Sequence, residues 1–224
     1  KALLLLFATM LLTCNRNNEE HEEFSVQRPA PLIAPPAIAP RGKARASTPP
    51  VVPDTMAKAR VIRAAGTRLV PPLRRQGHAL GDPIFIRIFK AEKQLEVWLK
   101  KEAQYTLFAT YPIYTFSGHL GPKVSQGDEQ APEGFYFVGK NGLAPWSKYH
   151  LALNVGYPNT YDRAHGRTGG YIMIHGDKVS IGCFAMTDPL IEEIFTLAYQ
   201  ALAGGQRFLR VHIFPFGMTY MNMA

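Results

Sequence analysis

Ten of the 18 prolines in this 224-residue chain lie between residues 28 and 75, together with ten Lys/Arg and a single acid, Asp54. Proline donates no backbone hydrogen bond and is confined to sheet edges and helix starts, so a core built on strand pairing belongs downstream of that stretch. Residues 80–224 carry 13 basic and 12 acidic residues and are nearly neutral. The formal charge of +8 therefore resides outside the expected core. This argues against a nucleic-acid-binding domain, whose cations belong on a folded face.

The segment before the core reads as an address and a spacer. Residues 2–12 (ALLLLFATMLL) form an apolar run behind Lys1, too short to span a bilayer and of the length of a signal-peptide core. Residues 1–18 are expected to be part of a signal peptide or lipoprotein signal, which places the protein in the periplasm. Cys14 follows Leu11, Leu12 and Thr13; acylation there would tether the chain to the membrane, and ordinary cleavage would release it. Residues 19–79 show no apolar period of 2 or 3.6 and are expected to form a disordered Pro/Ala/Arg-rich linker, either a solvated spacer or one drawn to anionic lipid or wall polymer.

Downstream, alternation takes over. Ile84, Ile86 and Ile88 alternate with Phe85, Arg87 and Phe89, and Leu95, Val97 and Leu99 alternate with Glu96, Trp98 and Lys100, which predicts a β-hairpin. Further strands are expected at Tyr105–Tyr111, Gly134–Gly139, His150–Val155, Tyr171–His175 and Phe208–Phe214. A helix is expected over Pro189–Ala203, where Leu190, Ile191, Ile194, Phe195, Leu197, Ala198, Ala201 and Leu202 make one stripe. Thr187 or Asp188 would cap it and Gly204–Gly205 would end it. The fold class is α+β, mostly β, with one prominent helix. The folded domain is expected over 80–217 and a tail over 218–224.

Only two cysteines occur, Cys14 and Cys183. If Cys14 is removed or acylated, an exported domain is left with one unpaired thiol, which is either a reactive group or a small buried hydrophobe. Cys183 lies in Ser180-Ile181-Gly182-Cys183, between a strand ending at His175-Gly176 and the helix. Small neighbours let a carbonyl approach the sulfur and let the Gly182 and Cys183 amides face a developing oxyanion. A thiol needs a base to become a nucleophile, and His175, eight residues earlier, reaches it if strand and loop fold back together.

The run Tyr171-Ile-Met-Ile-His175-Gly176 followed by Ser180-Ile-Gly-Cys183-Phe-Ala-Met186-Thr resembles the active-site signature of the L,D-transpeptidases, the YkuD-type catalytic domain, and within it the YafK-like branch. Gly121-Pro122-Lys123, Gln126-Gly127-Asp128, Pro132-Glu133-Gly134-Phe135-Tyr136 and Asn154 to Gly166 support the resemblance, which covers roughly residues 82–217. It implies a mostly β fold and a peptidoglycan stem-peptide substrate. It also implies a Cys183 nucleophile, His175 as its base, no cofactor and no metal. Two departures stand out: most members have histidine two residues before the cysteine and arginine two after, where this chain has Ile181 and Ala185. The missing cations point to Arg163 and Arg167, around His165, as contacts for an acidic stem peptide, with Ser180, Tyr171 and Tyr161 lining the site. Trp146 and Tyr157 are further candidates for the groove. The YafK-like branch is associated with hydrolytic release of a wall-linked lipoprotein, so hydrolysis is the favoured expectation and cross-linking or lipoprotein attachment the alternative. Family members commonly continue past the point where this sequence stops.

Two readings from other classes stay open on the residues alone. A zinc hydrolase could use His165, His175 and Cys183, although no HExxH pattern is present. A non-catalytic wall-binding module could use the basic segment and a sheet groove. His78, His119, His150 and His212 receive no functional role.

Overall fold

The computed structural model describes residues 55–223, and the expectations for residues 1–54 lie outside them. Two five-stranded sheets and a central helix make the fold. The first sheet contains β1 (Ile84–Phe89), β2 (Gln94–Lys101), β3 (Gln104–Pro112), β5 (Gly134–Val138) and β10 (Leu209–Phe214) in the order β3-β2-β1-β10-β5. The expected hairpin pairs Ile86 with Val97, and the chain's final strand returns parallel to β1, pairing Ile86 with Val211. Period-2 alternation turns Ile84, Ile86, Ile88, Leu95, Val97 and Leu99 inward, all at most 1% exposed.

The second sheet is built from short pieces: β4 (Thr115–Phe116), β6 (Leu143–Ala144), β7 (Ala152–Asn154), β8 (Met173–His175) and β9 (Phe184–Ala185), ordered β4-β9-β8-β7-β6. Three of these have two residues each, too few to show any alternation in sequence.

Helix α3 (Asp188–Ala203) packs against β1, β7 and β8. Its buried set, Ile191, Ile194, Phe195, Thr196, Leu197, Ala198, Ala201 and Leu202, wraps most of its circumference, so one sheet face cannot cover it. The remaining face is covered by α1 (Thr55–Arg75), and this corrects the expectation of an extended linker up to residue 79. Ile62, Ala65, Leu69 and Leu73 recur at helical spacing, with Ala65, Leu69 and Leu73 no more than 2% exposed. Two Arg-rich faces and Pro71-Pro72 obscured that stripe in the sequence. The prolines sit near the end of the helix, where burial of Leu69 and Leu73 offsets the missing amide donors. Leu73→Ala should lower unfolding free energy by about 2–5 kcal/mol in a denaturant titration; a wild-type midpoint would show that α1 adds nothing to the core.

The expected cap of α3 also differs. Thr187 has φ 73° and makes no side-chain cap bond. Asp188 turns back instead, its Oδ1 accepting the Asp177 amide at 2.8 Å, which ties the start of α3 to the loop following β8.

Candidate active site

The parallel pairing of β8 with β9 sets Ile174 opposite Phe184 and His175 opposite Ala185. Carried back one residue, this register sets Cys183 opposite Met173. Cys183 immediately precedes β9, and because residues two apart share a face of a strand, the register continued back to it would put it on the His175 side of the sheet. The loop before β9 folds back onto β8 at Met173.

The thiol sits in a backbone cradle. Cys183 Sγ donates toward the Tyr171 carbonyl at 3.7 Å and accepts from the Met173 amide at 3.4 Å. Ser180 Oγ donates to the Cys183 carbonyl at 2.6 Å and accepts from the Gly182 amide at 3.2 Å, which clamps the loop at its two ends. Gly182 has φ +127°, a conformation that favours glycine, and the backbone of Gln130 lies 3.4 Å from where a side chain would begin. The Gly182 amide, expected to face an oxyanion, is held by Ser180 here. Tyr171, whose carbonyl faces the thiol, and Ile181 are 81% and 78% exposed.

His175 is buried. Its Nδ1 donates to the Gly176 carbonyl at 2.5 Å, which assigns the proton to Nδ1 and leaves Nε2 as the basic nitrogen. Tyr149 stacks on the imidazole with centroids 4.7 Å apart. The Gly176 backbone is fixed in turn, its amide donating to Leu151 at 3.1 Å.

Electrostatics keep both groups neutral at rest. Burial pushes the Cys183 thiol above its ordinary value, opposed by the Met173 amide and the charge of Lys123. Burial pushes the His175 imidazole below its ordinary value, opposed by its bond to Gly176 and by Asp177. Both shifts favour thiol and imidazole over a thiolate–imidazolium pair. Iodoacetamide alkylation of Cys183 should accordingly inflect at a pH above that of free cysteine. An inflection well below it would show a preformed thiolate.

Lys123 is the cation that sequence reasoning passed over. It is 4% exposed and paired with Asp128, and its ammonium also donates to the Ser125 carbonyl at 2.8 Å. Burial alone would raise the Asp128 pKa, but Lys123 and the amides of Ser125, Val124 and Gln130 hold it well below the carboxylate range. The loop bearing this pair is anchored to the end of β1, where the fully buried Lys90 bonds the Gly121 and Ala131 carbonyls and Glu133. Lys123 lies in a motif that carries the family resemblance, but its sequence distance from Cys183 hides its proximity.

Arg163, His165, Arg167 and Tyr161 form a second cluster around α2 (Thr160–Ala164). Asp162 organises it. The Asp162 carboxylate accepts from the Asn159 amide at 3.0 Å while Asn159 Oδ1 accepts from the Asp162 amide at 2.8 Å, a capping box. The same carboxylate takes the Tyr136 hydroxyl at 3.1 Å and Arg167 Nη1 at 2.7 Å. Arg167, expected to meet an acidic substrate, is thus committed to a buried internal carboxylate. Arg163 donates to the Pro158 carbonyl and to Thr160 Oγ1, and remains exposed. His165 packs at a tilt against the exposed Tyr161 with centroids 4.0 Å apart. Tyr157, a groove candidate from sequence, is instead a core residue, 4% exposed, with its hydroxyl on the Lys123 carbonyl at 3.1 Å. Trp146 lines a cavity beside α1 and α3. Among the described residues no three His, Cys, Asp or Glu side chains are grouped to hold a metal ion.

Residues 83–211 match the YkuD profile, described as the L,D-transpeptidase catalytic domain. The chain is 53% identical over 144 residues to "Putative L,D-transpeptidase YafK" of Escherichia coli, covering 64% of this chain and 58% of that protein. It therefore spans 58% of the length of that relative. Among solved structures, a mutant form of the helical cell shape determining protein Pgp2 from Campylobacter jejuni superposes with a TM-score of 0.50 at 24% identity. That match covers 61% of this chain and 48% of the other, and speaks to the fold alone. With the profile spanning more than half of its residues, the chain belongs to the YkuD family of L,D-transpeptidase catalytic domains.

Proposed function

We propose that this protein is a peptidoglycan-modifying acyl-transfer enzyme with Cys183 as nucleophile and His175 as general acid and base. The observation that carries the reading is the His175 Nδ1 bond to the Gly176 carbonyl, which leaves Nε2 to serve the thiol on the same sheet face. In the first half-reaction Nε2 takes the thiol proton as Sγ attacks a stem-peptide carbonyl. The oxyanion that forms requires amide donors, for which Cys183 and Gly182 are the candidates, the latter on release from Ser180. Collapse expels the amine, protonated by His175, and leaves a thioester. In the second half-reaction His175 deprotonates the acceptor, which attacks the thioester and restores the thiol.

We assign water as the acceptor, on the likeness to the YafK-like branch, so that the enzyme releases a wall-linked lipoprotein. A second stem's amine would form a cross-link through the same thioester. Ser180 acts by holding the loop, while Tyr171 and Ile181 offer apolar contact beside the scissile bond. Among the cations expected to meet an acidic stem, Arg163 keeps that assignment because it is an exposed residue with no carboxylate partner among the described residues; His165 and Tyr161 stand beside it. An extracytoplasmic location follows from a wall substrate.

Purified sacculi, with and without attached lipoprotein, incubated with the wild-type chain and with Cys183→Ala, test the assignment by mass analysis of the products. Freed lipoprotein in the wild-type reaction alone supports hydrolysis, and new cross-links would select transfer to an amine. Identical patterns for both proteins would remove the enzyme reading.

A further inference from the structure

Among the described residues, one buried side-chain oxygen or nitrogen lacks a hydrogen-bond partner: Ser117 Oγ. The residue is half-buried and its oxygen fully so. An unpaired buried hydroxyl destabilises a fold, and alanine would fill the position without that cost. Such an orphan calls for a use outside the resting state.

Its place in the sheet suggests the use. Strand β4 pairs antiparallel with β9, Thr115 opposite Ala185 and Phe116 opposite Phe184, with the two phenyl centroids 6.0 Å apart. Continued by one residue, this register sets Ser117 opposite Cys183. Directly opposed residues of an antiparallel pair share a face and hold their β-carbons about 5 Å apart, within reach of a rotamer change. Contacts independent of that register bring the same segments together. The Ser117 carbonyl accepts the Ala131 amide at 3.2 Å, and the Gln130 carbonyl lies 3.4 Å from where a Gly182 side chain would begin. Ala131 is held in turn by the buried Lys90, whose Nζ donates to its carbonyl at 2.9 Å. The Ser117 backbone is thus fixed beside the cysteine loop, and its hydroxyl alone is uncommitted.

The resting thiol has no need of that hydroxyl, since Sγ donates toward the Tyr171 carbonyl and accepts from the Met173 amide. Loss of the proton changes the balance. A thiolate cannot donate to the Tyr171 carbonyl, whose oxygen then faces a negative charge, and an acceptor-only sulfur calls for a further donor. Ser180 Oγ is already spent on the Cys183 carbonyl and the Gly182 amide. Lys123, the cation acting on the sulfur, is engaged by Asp128 and the Ser125 carbonyl. His175 receives the proton and has no donor to spare until it does.

We propose that the Ser117 hydroxyl is a catalytic hydrogen-bond donor to the Cys183 sulfur. Unpaired in the resting enzyme, it turns onto Sγ as the proton passes to His175, and it lets go when the thioester removes the charge. No covalent bond forms or breaks at the serine. The proposal rests on Cys183 being the nucleophile of the acyl-transfer reading.

The test is Ser117→Ala in the full chain, with Ser117→Thr as the variant that keeps a hydroxyl. Iodoacetamide alkylation, followed by mass on the peptide that carries Cys183, reports the thiolate fraction without reference to any substrate. In Ser117→Ala the alkylation rate at neutral pH should fall about tenfold and its inflection should move up by about one pH unit. Ser117→Thr should stay near wild type. Acyl transfer on sacculi should fall with the alkylation rate. The melting temperature of Ser117→Ala should equal or exceed that of wild type, because the substitution removes an unpaired polar atom. A lower melting temperature would reveal a structural partner for the hydroxyl and overturn the proposal. Unchanged alkylation would overturn it too, and slower turnover alongside would reassign Ser117 to the oxyanion. Shifted alkylation in a chain whose wild type leaves sacculi untouched would remove the acyl-transfer reading and leave the Ser117–Cys183 contact standing.

Discussion

Acyl transfer should fall by about 10⁴-fold or more when Cys183 is replaced by alanine, and by a comparable factor in His175→Ala. The two effects should not add. In the neutral resting pair, the imidazole has value only by accepting the thiol proton, and the buried thiol, raised by desolvation, reacts slowly without it. The double variant should therefore be no slower than either single one, as expected of groups that work as a unit. A single-turnover assay that detects the thioester by mass makes the comparison directly. Additive losses would assign His175 to substrate binding rather than proton transfer. The pH profile gives a second readout: because burial lowers the imidazole below its ordinary 6.5, activity should persist into mild acid before His175 protonates.

Gly176→Ala should be nearly as damaging, through geometry rather than chemistry. A β-carbon at this position would lie 2.5 Å from Asp188 Oδ1, 2.9 Å from the Tyr149 carbonyl and 3.0 Å from His150 Cβ. All three neighbours are anchored. Asp188 is bonded to the Asp177 amide, the Tyr149 ring is stacked on His175, and His150 is held between Lys58 and Glu192. Relief requires moving the backbone whose carbonyl orients the imidazole. A loss of about 1–3 kcal/mol in stability is expected from the overpacking, together with a large fall in turnover. Measured stability and turnover both near wild type would show that the His175–Gly176 geometry is not what positions the base.

Both predictions depend on features of unequal visibility. Cys183 and His175 stood out from the sequence because a lone thiol, a glycine-flanked loop and a nearby histidine are local properties. The β1–β2 hairpin and α3 were legible for the same reason: alternation and a helical stripe can be counted within one segment. Helix α1 was missed although Ile62, Ala65, Leu69 and Leu73 supply a period, because its propensity is masked by Arg and by Pro71-Pro72. Its stability comes from a surface of α3 more than a hundred residues away. The two-residue strands β4, β6 and β9 have no local signature, since their partners define them.

The same division runs through the site. Arg167 looked like a free cation until Asp162 was seen to hold it, and Tyr157 looked like a groove aromatic until its hydroxyl was found on Lys123. Lys123 itself, the cation whose charge favours the Cys183 thiolate, lies sixty residues from the thiol in sequence.

The amino-acid order alone determined which atoms could carry the chemistry and which family the chain resembles, because the candidate nucleophile, its candidate base and the loop glycines are written within nine residues, His175 to Cys183. Only the tertiary structure decided how those atoms are tuned. Desolvation, the Gly176 carbonyl on Nδ1, the Lys123 field and the cover supplied by α1 all depend on distances between segments that the chain does not encode side by side.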